Sequence, residues 1–322
     1  TGRKNENRMK THLITGVAGF IGSYLAKYLL QEGDTVLGVD NFTLGKNETV
    51  YQLKQFDTFK FIELDLSSES SVEVLIKEFH YEKIDVVWHM AANSDIRGYI
   101  NGPQVDINNT LMTTVNISKF VDKRNIDTIV FASSSAVLGS SNRPLRENDG
   151  PALPQSYYGA MKLASEGYIS ATKSYFLKNY YIFRFPNVVG PNMTHGVIFD
   201  FIEKLKVNNS KLDVLGDGNQ RKPYIHVEDL TSGMLHYIEK NLSNEIFNIT
   251  PNDSGIKVKR IAELVSEELG VSPKINYENK EYGWLGDVTN YSYDNSKQLS
   301  NGWSPKFSTE EAIKKSIKEN LI

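Results

Sequence analysis

The segment Thr15-Gly-Val-Ala-Gly-Phe-Ile-Gly22 joins a short apolar run at residues 12–15 to an amphipathic stretch at 20–31. Its glycines, Gly16, Gly19 and Gly22, let a strand turn sharply into a helix and let backbone approach a bound group closely. A helix amino terminus at that turn offers free N–H groups and a partial positive charge, which suits a pyrophosphate. Taken alone, the glycines need mean no more than a tight turn. The rest of the chain constrains the reading, because short apolar runs and longer amphipathic ones keep alternating. Strands are expected at 35–39, 59–63, 85–89, 128–133 and 180–185, with helices near 70–80, 107–123 and 158–177. That rhythm predicts a parallel sheet with helices on both faces and a ligand crevice at the carboxyl ends of its strands.

Beyond Phe185 the rhythm breaks at Pro186, Gly190 and Pro191, before a helix near 198–206. The stretch 222–226, a helix at 227–240 and a strand at 246–249 suggest a return to the sheet. The expected α/β architecture is therefore a Rossmann-type doubly wound parallel sheet with a smaller interleaved α/β substrate-binding lobe. Residues 10–186 and 222–250 form the first domain, and 187–221 with 251–322 form the lobe. Residues 1–8 are polar and precede Met9, so they resemble a cloning remnant more than a signal peptide. A length of 322 residues suits two intimate domains.

The formal charge of -3 gives no general attraction to nucleic acid or membrane, so an anionic ligand must be held by local groups. The sequence has no cysteine, which excludes thiolate metal sites and cysteine nucleophiles and fits a cytoplasmic location. No histidine cluster has metal-ligand spacing, so no metal is expected. Asp40 closes the second expected strand about 20 residues after the glycine loop, where a carboxylate can accept both hydroxyls of an adenosine ribose. It would repel a 2′-phosphate, which favours NAD over NADP; Lys46 nearby weakens that preference. His89 is expected to be a strand-end histidine with satisfied hydrogen bonds rather than a chemical group.

Tyr158-Gly-Ala-Met-Lys162 places a phenol and an ammonium on one face at the start of a helix. Lys162 and a nicotinamide cation would both stabilise phenolate, making Tyr158 a base for a sugar hydroxyl. Such pairs are common on solvated helix faces, but this one follows the strand that ends in the serine cluster Ser133-Ser-Ser. A hydroxyl there could share the proton with Tyr158.

These segments together resemble the extended short-chain dehydrogenase/reductase family, and within it the nucleotide-sugar epimerases and dehydratases. The resemblance rests on TGVAGFIG, HMAA at 89–92, SSSAVLG at 133–139, YGAMK, RFPNVVGPN at 184–192, GDGNQRKPYIHVEDL at 216–230 and WLGDV at 284–288. It implies that NAD is held by Gly16, Gly19, Phe20, Ile21, Gly22, Asp40, Asn41, Asp65, Leu66, Ala91, Ala92 and Asn109, together with Tyr158 and Lys162. It implies Ser134, Tyr158 and Lys162 as the catalytic set. Ser94, Ser135, Asn187, Val197, Ile198, Lys222 and Tyr291 would meet the nucleotide sugar.

The family's 4,6-dehydratases carry an Asp-Glu pair after the catalytic hydroxyl, whereas this chain has Ser135 and Ala136. Elimination of water needs a proton donor for the leaving hydroxyl, so the resemblance points instead to a 4-epimerase. Such an enzyme oxidises C4, rotates the keto sugar and returns the same hydride, interconverting UDP-glucose and UDP-galactose. Another NAD-dependent nucleotide-sugar modifier is the alternative within the class: a C2 epimerase or a reductase, and behind them a 4,6-dehydratase or decarboxylase. A dinucleotide-sensing module is the alternative outside it. Two departures stand out: Trp284 occupies the place of a phosphate-binding Arg, and Leu138 replaces the usual Tyr of the VYG triplet. The family also implies a homodimer through the helices near 107–123 and 158–177, with Met161, Ile169 and Phe176 as apolar contributors.

Overall fold

The computed structural model describes residues 8–95, 102–193, 195–281, 283 and 288–321. The chain begins β1 (Thr11–Thr15), α1 (Phe20–Gln31), β2 (Thr35–Asp40), α2 (Asn47–Leu53), β3 (Phe59–Glu63), α3 (Ser71–Glu78) and β4 (Val86–His89). After α4 (Gln104–Asp106), a π-helical segment at Ile107–Met112 leads into α5 (Thr113–Lys123). Then follow β5 (Thr128–Ala132), α6 (Tyr157–Thr172) and β6 (Asn179–Arg184). The expected continuous helix over 107–123 is thus widened at its start, and the helix expected to reach Leu177 ends five residues earlier, at Thr172.

A seven-stranded sheet runs in the order β11-β6-β5-β4-β1-β2-β3, with β11 at Glu245–Asn248, and every pairing in it is parallel. The period of two in these strands divides their side chains between two cores. Leu13, Leu37, Ile129, Phe131 and Ile182 face α3, α5 and α6. Their neighbours Ile14, Val36, Val130, Tyr181 and Phe183 face α1, α2 and α8 (Val227–Glu239). The order reverses between β1 and β4, so a crevice opens above their carboxyl ends.

The remaining elements are β7 (Asn187–Val189), α7 (Val197–Val207), β8 (Lys211–Val214), β9 (Arg221–Lys222), β10 (Tyr224–His226), β12 (Ile256–Lys257), α9 (Val258–Leu269), β13 (Lys274–Tyr277), α10 (Ser296–Ser300) and α11 (Thr309–Leu321). Among the described residues of this half, only β11 joins the main sheet. The expected return of 222–226 is instead a two-stranded pairing of β10 with β7. A third core forms from Ile198, Phe201, Ile202 and Leu205 of α7, Ile261, Leu264 and Val265 of α9, and Ala312, Ile313 and Ile317 of α11. Each helix contributes a stripe at spacings of three and four. Full burial of one such aliphatic chain stabilises by about 1.5–3 kcal/mol.

Among the described residues no helix is long and apolar enough to cross a membrane, and no group of histidine, aspartate and glutamate could hold a metal. Ile169, expected as an interface residue, is fully buried in the chain's own core, because its face of α6 lies on the sheet.

Candidate active site

The glycine loop closes against the sheet at one contact. Gly16 has φ 70°, and a Cβ on it would lie 2.8 Å from the Ala91 nitrogen. A Cβ on Gly22 would lie 2.2 Å from the Gly16 carbonyl oxygen, so both positions are glycine for packing. Gly19 differs: a Cβ there would meet no protein atom nearer than 3.3 Å, yet the residue lines the cleft. Its bareness serves whatever occupies the cleft. Gly19 is also the N-cap of α1, where no side chain caps the helix and no acidic residue occupies the first turn. The orphan N–H groups are thus left for an anion.

Asp40 ends β2 and is 9% exposed. Its carboxylate accepts from the Ala18 N–H at 2.9 Å and the Phe42 N–H at 2.8 Å. Burial raises its pKa, and these backbone bonds oppose the rise. The carboxylate is therefore fixed on the cleft wall with lone pairs to spare. A bare pyrophosphate turn and an oriented ribose acceptor, with Ala91 and Ala92 opposite, fit a dinucleotide.

At the other end of the cleft, β5 delivers Ser133 and Ser134, and α6 delivers Tyr158 and Lys162. The Ser156 hydroxyl caps α6 by accepting from the Gly159 N–H at 3.1 Å. A Cβ on Gly159 would lie 2.4 Å from the Ala136 carbonyl oxygen, so the helix start sits directly on the turn after Ser134. This contact sets the Ser134 hydroxyl beside Tyr158, where its influence lowers the phenol's pKa. Burial pushes the phenol up to about 12, against that lowering effect. Burial also brings the Lys162 ammonium down to about 7, with Glu166 opposing the fall. Lys162 Nζ donates to the Ala132 carbonyl at 2.5 Å and lies 5.8 Å from the centre of the Tyr158 ring.

Of the other expected residues, Phe20, Ile21, Asn41, Leu66, Ser94, Asn109, Ser135, Asn187, Lys222 and Tyr291 also line the cleft. Asp65, Val197 and Ile198 do not. The Asp65 carboxylate turns instead to the Ser67 N–H at 2.9 Å, and Ile198 is wholly buried in the lobe core, leaving only its backbone to meet a base. Leu138 packs with Val137, Leu145 and Tyr293 behind the cleft. Trp284 and Asp287 lie outside the described residues. His89 is fully buried between the Thr15 and Thr114 hydroxyls, at 2.8 and 3.0 Å, and burial lowers it to about 3.

Sequence reasoning passed over Asn93, Thr113, Gln155 and Leu145, which also form the wall. Asn93 follows the HMAA motif directly, a positional hint; the others come from segments brought together only by folding. Among the described wall residues the only carboxylate is Asp40, at the end opposite Tyr158.

Comparison with known proteins gives a consistent family. A sequence model described as the NAD dependent epimerase/dehydratase family matches residues 12–250. The UDP-glucuronate 4-epimerase of Thermodesulfobacterium geofontis is 28% identical over 322 residues, covering 97% of this chain and 98% of that protein. A crystal structure of a UDP-galactose 4-epimerase is 32% identical and superposes with a TM-score of 0.84, covering 96% of this chain and 98% of the other. The UDP-glucuronic acid 4-epimerase of Bacillus cereus, in complex with UDP-glucuronic acid and NAD, is 26% identical with a TM-score of 0.85, at coverages of 96% and 98%.

Proposed function

Since the chain belongs to the NAD dependent epimerase/dehydratase family, whose members include NAD-dependent enzymes acting on nucleotide sugars, we propose that it is a UDP-hexose 4-epimerase interconverting UDP-glucose and UDP-galactose. The observation that carries this reading is the Ser134–Tyr158–Lys162 constellation in a cleft end that has no carboxylate among its described residues. A dehydratase must protonate a departing hydroxyl, and nothing in that wall supplies the acid. Inversion at C4 needs only one group that can take and return a proton.

Bound NAD supplies reversible acceptance of hydride from the sugar carbon and a positive charge in the cleft. The residues here do the rest. Tyr158 takes the O4 proton, with the neighbouring Ser134 hydroxyl able to share it, and later returns it to the same oxygen. Lys162 as ammonium favours the phenolate. Burial raises the phenol's pKa, so the positive charges of Lys162 and of bound NAD would have to favour the phenolate for Tyr158 to act as a base. Between the two proton transfers the C4 ketone must turn its other face toward the hydride position, so the sugar has to be held through its diphosphate. Asn187 and Lys222 stand on the wall to do this.

Tyr291, edge-on to Tyr293 with ring centres 5.8 Å apart, borders the same space, and the family resemblance puts its position beside the sugar's C2 substituent. A panel of UDP-, CDP-, GDP- and dTDP-sugars followed by NMR tests the reading. Appearance of UDP-galactose from UDP-glucose supports it, and a 4-keto-6-deoxy product or an unchanged panel contradicts it.

A further inference from the structure

Beneath the reaction centre lies a buried ion pair that the proposed chemistry does not use. Glu166 and Arg184 have side chains 4% and 5% exposed. Arg184 holds the carboxylate in a fork, Nε to Oε1 at 2.8 Å and Nη2 to Oε2 at 2.6 Å. Ser133, next to Ser134, donates its hydroxyl to the same Oε1 at 2.5 Å. The remaining arm of Arg184 donates to the Glu147 carbonyl at 3.1 Å, and the Glu147 carboxylate accepts from the Asn248 N–H at 2.9 Å. One carboxylate therefore ties together α6, the end of β5 and the end of β6, the three elements that lead to Lys162, Ser134 and Asn187.

Glu166 is also one helical turn beyond Lys162, on the same face of α6. Charged and titratable groups around Lys162 come from several elements. His89 on β4 is neutral, Asp106 on α4 acts on Tyr158, and Arg184 on β6 stands behind the carboxylate. Of these, Glu166 is the negative charge that acts on Lys162. An ammonium out of water persists only where an anion compensates it.

We propose that Glu166 is a positioning residue of the reaction centre, whose buried carboxylate fixes the Ser133–Ser134 strand end and holds Lys162 in its cationic form. The inference rests on the reading of Tyr158 and Lys162 as the catalytic pair. Arg184 and Ser133 orient the carboxylate, and Glu166 does not touch the substrate's reacting atoms.

The test is the titration of Lys162 itself. NAD-loaded protein carrying ¹³Cε-lysine is followed by NMR across pH, with the Lys162 signal assigned by its loss in Lys162→Met. In Glu166→Gln, the Lys162 midpoint is expected to fall by about one unit or more, the effect of losing a neighbouring opposite charge. The alkaline limb of kcat against pH falls with it. Should the lone Arg184 prevent folding of that variant, Glu166→Gln/Arg184→Met is compared with Arg184→Met, two proteins that differ only in the carboxylate, and the Lys162 midpoint is expected to be lower in the double variant. A midpoint unmoved in the folded variant overturns the proposal and leaves Glu166 a purely structural partner of Arg184. The NMR readout needs no turnover, so a wild type inactive on UDP-hexoses would count against the proposed function and not against this inference.

Discussion

Tyr158 and Lys162 stand one turn apart at the start of α6, and the ammonium lies 5.8 Å from the centre of the phenol ring and 4.8 Å from that of Phe131. This places a cation beside the group whose ionisation the chemistry needs. Replacing Tyr158 with Phe deletes the hydroxyl and little apolar volume. Turnover is expected to fall by about 10²- to 10⁴-fold, the usual cost of one proton-transfer group, with NAD binding nearly intact. Steady-state kinetics and a dinucleotide titration check both halves.

We expect Asp40 to set the cofactor preference. A dinucleotide titration should show binding of NAD well ahead of NADP, because a buried carboxylate repels a 2′-phosphate. Asp40→Ala is expected to weaken NAD by about tenfold or more, the loss of a charge-assisted hydrogen bond, while leaving NADP no worse. Tighter binding of NADP by the unaltered protein would remove Asp40 from the ribose site.

We expect Tyr291 to govern the choice between plain and N-acetylated sugars. Overpacking a formed pocket costs about 1–3 kcal/mol, so UDP-glucose and UDP-galactose should be preferred over their N-acetyl counterparts by roughly tenfold or more in kcat/KM. Tyr291→Ser should narrow the gap. Equal handling of both pairs by the unaltered enzyme, or no change in the variant, shows that Tyr291 is not the gate.

His89 makes stability sensitive to acid. Its folded pKa of about 3 lies below the ordinary value of 6.5, so the unfolded chain binds the extra proton first. The sign follows: stability is lost as pH falls below 6.5 and this loss levels off below about 3. Each unit of depression corresponds to about 1.4 kcal/mol. Urea unfolding across that range should show a shallower acid slope for His89→Gln than for the unaltered protein, and equal slopes would remove His89 as the cause.

We expect a homodimer through the outward face of α6 with α5. Tyr157 and Tyr168 are 50% and 36% exposed on α6. With Met161 they fall on one side of the helix, opposite the buried Glu166. Light scattering that shows only monomer at micromolar concentration contradicts this, and Tyr168→Glu should shift the equilibrium toward monomer.

The fold and much of the cleft are legible in the chain because their signals are local. The glycine loop sits at one strand-to-helix turn, Asp40 at the next strand end, and Tyr158 with Lys162 on a single helix face. What escaped depends on contacts distant in sequence. Ile169 reads as an apolar surface position until the sheet covers it, and Ile198 reads as a ligand neighbour until α9 and α11 enclose it. The pairing of β10 with β7 involves strands of three residues each, too short for periodicity to register. Arg184 and Glu166 lie 18 residues apart, and only the packing of α6 over β6 joins them. The Asp65 carboxylate was drawn away by its own local turn, which competes with any ligand for the same oxygens.

The central claim is that one site removes and returns the same hydrogen at C4 while Tyr158 handles the proton on O4. The most direct measurement uses UDP-glucose deuterated at C4, incubated with purified enzyme carrying its NAD and with none added. The account predicts UDP-galactose that retains the deuterium at C4, formed about 10²- to 10⁴-fold more slowly by Tyr158→Phe. Deuterium exchanged with solvent, or no inversion at C4, contradicts it.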